Sequence, residues 1–161
     1  MHPETKDALA QLEQADWFLR VGLHELPEPF IHLSSWDAAM AHCDSDMWHW
    51  VHIETANQIC TAIASQSRER FRKWNELVSE IRPIVTDLVR SKVESVMEAN
   101  DLPDVFETSV RWDILHLCME CEYLDLSPPR FYGGLSYQYV TGHFPCGWEG
   151  PLGRRGKLIV F

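Results

Sequence analysis

Apolar residues return every three to four positions through most of this chain, and that period predicts helices. From Glu4 to about Arg20, Ala8, Leu9, Leu12, Ala15 and Leu19 share a face, and GLHELPEPF, with Gly22, Pro27 and Pro29, ends the helix. Ser34 or Ser35 offers an N-cap for a short helix through Trp36, Met40 and Ala41. From Asp46 to about Ser65 the pattern predicts a central helix: His49, His52, Ile53, Ala56, Ile59, Cys60 and Ile63 fall on one face and Met47 and Val51 on the other, so both sides expect burial. A long stripe follows from Arg68 to Ala99, through Trp74, Leu77, Val78, Ile81, Ile84, Val85 and Leu88. It stays in phase past Pro83, which predicts a kink at about Ser79 to Arg82 or a fresh helix starting there. After ANDLPD, Asp101 can cap a helix with Pro103 near its first turn. That helix runs to about Tyr123, with Phe106, Val110, Ile114, Leu117 and Cys121 on one face and Trp112, Leu115 and Met119 on the other.

Beyond SPPR the texture changes. FYGGLSYQYV is aromatic and broken by glycine, and the terminal GKLIVF is a β-type run that needs a partner, for which PFIHL near the N-terminus is the candidate. Between them, TGHFPCGWEGP reads as a structural corner. Gly142, Pro145 and Gly147 shape its backbone, and Phe144, Cys146 and Trp148 plug the gap between the helical body and the last strand. The expected fold is mainly α: a single domain over residues 1–161, a bundle of about five helices with a minor β element near the C-terminus.

Composition narrows the class. A chain of 161 residues buries roughly 70% of its extended surface and needs neither disulfide nor metal to fold. Five cysteines, an odd count, read as reduced thiols, and the polar N-terminus and lack of a long uncharged apolar run predict a cytoplasmic protein that does not enter a membrane. The net charge of −10 is unevenly spread. Residues 1–60 hold ten acidic against two basic side chains, 61–100 six against seven, 101–129 seven against one, and 130–161 one against four. Two acidic blocks of this kind repel nucleic acid and anionic lipid and attract basic partners.

Catalytic motifs are scarce. GxSxG, HExxH and phosphate-loop spacings are absent. His49 and His52 share a helical face with Asp46 a turn away, but His116 stands alone on its helix, so these histidines read as satisfied core or half-buried groups. Cys118 and Cys121 form a CxxC, and with His143 and Cys146 they could make a tetrahedral zinc site. The CxxC lies inside a helical pattern rather than in a tight turn, however, and there thiols behave as small core hydrophobes. Glu120 and Glu122 beside them also disfavour a reactive thiolate. The expectation is no cofactor and no metal.

The ending YVTGHFPCGWEGPLGRRGKLIVF, after an acidic, tryptophan-rich helical body, resembles that of small bacterial proteins which serve as immunity proteins beside polymorphic or contact-dependent toxins. The resemblance implies a cytoplasmic, non-catalytic inhibitor that occludes the active site of a cognate toxin, and the acidic blocks fit a basic one. Asp37, Asp44, Asp46, Asp101, Asp104 and Glu107 are the candidate contacts. Two other classes remain compatible with the residues: a zinc- or iron-binding helical protein or enzyme, and a homo-oligomeric adaptor that uses exposed aromatic side chains.

Overall fold

The computed structural model describes residues 1–18, 30–45, 48, 49, 51–53, 57, 61, 65, 67–123, 135, 138, 139, 141–151 and 156–161. Four helices have described bounds: α1 (Pro3–Gln14), α2 (Trp36–Cys43), α3 (Arg68–Asn100) and α4 (Asp104–Tyr123). Residues 48, 49, 51–53, 57 and 61 are helical as well. Three strands, β1 (Phe30–His32), β2 (Pro145–Glu149) and β3 (Lys157–Val160), form one small sheet. The mainly helical class with a minor C-terminal β element is therefore what the chain adopts.

Local chemistry sets the helix ends. The Oγ of Ser35 accepts from the Ala38 N–H at 3.3 Å to open α2, and that of Ser67 accepts from the Arg70 N–H at 3.1 Å to open α3. Helix α1 stops at Gln14, well short of the expected Arg20. Trp17 folds back, its indole N–H donating to the Leu12 carbonyl at 2.9 Å, and Phe18 takes a left-handed φ of 61°. Both rings thereby enter the core, and Lys92 of α3 donates to the carbonyl of Ala15 just past the end of α1. Asp101 also differs from expectation. It ends α3 in the left-handed region (φ 51°, ψ 47°), its N–H on the Met97 carbonyl, and does not open the next helix.

Helix α3 runs unbroken through Pro83, so no fresh helix begins at Ser79 to Arg82. Pro83 is exposed, and the buried stripe, Trp74, Ile81, Val85, Val89 and Val93, stays in phase on the far side. Ile84, expected in that stripe, is exposed. Because the proline only removes a backbone bond here, Pro83→Ala is expected to raise stability by about 1 to 2 kcal/mol in urea denaturation.

The central helix is α4 and not the segment after Asp46. Every residue from Asp113 to Glu120 is buried, because α1, α2 and α3 all pack on α4. The sheet closes the other end. Strand β3, the most apolar of the three, lies in the middle, parallel to β1 (Phe30 opposite Leu158, Ile31 opposite Ile159) and antiparallel to β2. The LIVF–PFIHL pairing is thus observed, and TGHFPCGWEGP contributes an edge strand rather than only a corner. Its pairing is irregular between Pro145 and Gly147, where an edge strand tolerates a proline. Gly142 has φ 89°, and Gly156 lies so close under the Trp148 ring that a Cβ there would sit 2.3 Å from its Nε1. Phe18, Trp36, Phe106, Phe144 and Phe161 meet between helices and sheet, with Phe106 and Phe144 centroids 4.6 Å apart and those of Trp36 and Phe161 4.1 Å apart.

Candidate functional site

The helical segment around Trp48 leans on α4 and encloses a cavity of about 240 Å³. Its walls follow from helix phase. Trp48 and Val51 are buried, the indole N–H of Trp48 donating to the Ser109 hydroxyl at 3.2 Å. His52 and Ile53, on the other side of the turn, point along the opening, and Ile53 is 59% exposed. From α4, spacing of three to four residues brings Val105, Ser109, Trp112 and His116 onto the facing wall. Trp112 is 44% exposed at the mouth and stacks on His116, with centroids 5.2 Å apart. The expected two-sided burial of the 46–65 segment is seen only in part among its described residues: Val51 is buried on one face and His52 largely buried on the other, while His49 and Ile53 are exposed at the opening.

Behind the cavity lies a polar relay. Asp113 is fully buried; one carboxyl oxygen accepts from the Tyr139 hydroxyl at 2.6 Å, and the other faces His52 Nδ1 at 3.5 Å. Burial pushes the Asp113 carboxyl well above the usual carboxylate range, although the Tyr139 hydrogen bond pulls the other way. Burial also pulls His52 down to about 3, with His116 and His49 adding to the shift, and pulls His116 down to about 4. The buried imidazoles of His52 and His116 are neutral at physiological pH. Cys43, also in the wall, is held at about 11 by burial despite a hydrogen bond to Ser109, so it is a thiol and not a nucleophilic thiolate.

Of the acidic residues singled out in the sequence, Asp44 lies beside the cavity residue His49 and Asp104 precedes the cavity residue Val105. Cys43 at the end of α2 touches the Val105 carbonyl of α4, with Sγ 3.9 Å away. That contact brings Asp44, 77% exposed, beside the segment that starts α4 with Asp104. Asp37, Asp101 and Asp104 are exposed. Glu107 is half-buried and lies 3.7 Å from Arg111, so its charge is partly answered within the chain. Asp46 lies outside the described residues.

The four-ligand set of Cys118, Cys121, His143 and Cys146 is not assembled. Cys118 and Cys121 occupy the last turns of α4, where burial raises the Cys118 thiol to about 12. Cys146 is on β2 with its Sγ 3.5 Å from the Ile159 carbonyl, and His143 sits beside Thr141 and His32. Among the described residues no group of three or more histidine, cysteine or carboxylate side chains is placed to hold a metal ion. None of their helices is long and apolar enough to cross a membrane.

Sequence reasoning missed Asp113 and Tyr139. Asp113 precedes His116 by one turn, an aspartate inside a helix that is apolar on both faces, and a carboxyl in such a place must find a buried partner. That was a readable signal. Tyr139 lies in the glycine-broken tail and had no periodicity to place it. Comparison with protein-family models, with curated proteins and with solved structures finds no match for the chain.

Proposed function

We propose that this chain is a cytoplasmic, non-catalytic binding protein that neutralises a basic bacterial toxin by covering its active site. The observation that carries the reading is the Cys43–Val105 contact. It brings the end of α2, with exposed Asp44, against the start of α4, with exposed Asp104, and exposed Asp37 and Asp101 on the adjoining segments extend the carboxylate face we infer. Such a face raises the encounter rate with a cationic partner and orients it. The toxin-immunity role comes from the resemblance of the C-terminal segment, and the acidic face is the chemistry that role needs.

The test is to look for a toxin-like reading frame beside the gene and to co-express its product with this chain. Cells are expected to survive, and the two proteins to elute together on a sizing column. Asp44→Lys with Asp104→Lys reverses two exposed charges outside the core and is expected to weaken the complex about tenfold to a hundredfold, mostly through slower association. Failure to protect, with no complex on the column, would remove the proposal.

A further inference from the structure

The cavity between the Trp48 helical segment and α4 has a chemistry that docking of a basic protein does not require. Its depth is formed by buried groups: Cys43, Trp48, Ser109 and His116 are all under 8% exposed. Its volume of about 240 Å³ suits one fused ring system and is too small for a folded peptide element. Two indoles, Trp48 and Trp112, supply aromatic surface, and the Thr108 and Ser109 hydroxyls with the His116 imidazole supply a few polar atoms. Among the described residues no lysine or arginine lines it, and its buried imidazoles carry no charge at neutral pH. An anionic ligand therefore meets no lysine or arginine and no charge in the depth of the cavity. Asp44 lies 3.9 Å from the cavity residue His49, and exposed Asp104 directly precedes the cavity residue Val105, so negative charge stands close to the mouth. The same carboxylates favour a cation there.

We propose that this cavity binds a free arylalkylamine, its planar ring against Trp48 and Trp112 and its alkylammonium at the rim beside Asp44 and Asp104. The ring contributes by leaving water, and the exocyclic cation stays in the open mouth, where it needs no desolvated counter-charge. The Tyr139–Asp113–His52 relay stiffens the floor by fixing the ring of His52, so the pocket is shaped before the ligand arrives.

A charge series of one ring tests this directly. The full chain is titrated with tryptamine, indole and indole-3-propionate while the indole N–H resonances of Trp48 and Trp112 are followed by heteronuclear NMR. Tryptamine is expected to bind with a Kd on the order of 100 µM. Indole is expected to be about threefold to fivefold weaker, and the carboxylate weaker again. Asp44→Asn with Asp104→Asn, both exposed, brings tryptamine to the affinity of indole, and Thr108→Phe, which fills the cavity, abolishes both. The proposal is overturned by any of three results: no saturable shift with tryptamine, equal affinity for tryptamine and indole, or a Thr108→Phe variant that binds like the parent. Should Thr108→Phe not fold, the charge series and the double Asn variant decide alone. None of these readouts depends on a protein partner, so they stand or fall separately from toxin neutralisation.

Discussion

Replacing Phe106 by alanine is expected to lower stability by about 4 kcal/mol, one of the two largest changes foreseen for this fold. Phe106 is fully buried in α4, with its ring 4.6 Å from Phe144, 5.4 Å from Trp36 and 5.5 Å from Phe18. Those three rings come from the chain leading into β2, from α2 and from the turn after α1. One side chain thus ties the sheet and two helical elements to the central helix. Truncation forfeits the transfer free energy of the ring and leaves a void walled by stiff aromatic neighbours that cannot collapse into it. Urea denaturation followed by circular dichroism reads the loss as a lower midpoint with an unchanged slope. Phe71→Ala, at a 39% exposed position on α3, serves as the control and is expected to change stability by about 0.5 kcal/mol or less. A Phe106 effect no larger than that control would mean that these elements do not meet on this ring.

How far the sequence announced all this depends on whether each signal was local. The existence of α2, α3 and α4 was legible because apolar period and serine caps act over a few residues, and the β1–β3 pairing was legible because an isolated LIVF run has to find a strand. The end of α1 was not, because Trp17 and Phe18 leave the helix for contacts with Tyr139 and Phe106, far away in the sequence. Strand β2 hid behind a proline and two glycines, residues that argue against a strand unless it is an edge with an irregular register. The apolar positions of α3 were found, but which of them face inward was misjudged at Ile84, since a wide stripe does not reveal its centre until the neighbouring helix is known. At the candidate site, His52 and the exposed acidic residues were visible as types. The meeting of Asp44 with the start of α4, and the buried carboxyl that faces His52, are tertiary facts carried by no spacing rule.

Stability is expected to fall by about 1.4 kcal/mol per pH unit as pH drops below 6.5, and to fall again as pH rises through the raised Asp113 value. The sign follows from counting protons. In the folded chain His116 stays neutral down to about pH 4, whereas its unfolded value is 6.5. Between those values the unfolded state binds a proton that the folded state refuses, so stability present above pH 6.5 is lost on acidification, by about 3 kcal/mol in full. The Asp113–His52 pair acts in the opposite direction. Burial raises the carboxyl and lowers the imidazole, so the folded pair keeps its proton on Asp113, with His52 neutral, until pH rises through the raised Asp113 value. Unfolded, Asp113 and His52 separate, with values of 3.8 and 6.5. Between them they bind one proton below pH 6.5 and none above it. The two shifts therefore offset each other on the acid side, and the Asp113 contribution is lost as pH rises through its raised folded value, because there only the folded state retains the proton. Asp113→Asn separates the two limbs. The amide still accepts from the Tyr139 hydroxyl but cannot ionise, so the alkaline limb vanishes. His52 then stands without a proton-sharing partner and joins His116 on the acid side, roughly doubling that slope to about 2.7 kcal/mol per pH unit. Urea midpoints of parent and variant from pH 5 to pH 9 provide the measurement. An Asp113→Asn profile with the same shape as the parent's would show that Asp113 is an ordinary carboxylate in the fold and that the relay behind the cavity shares no proton.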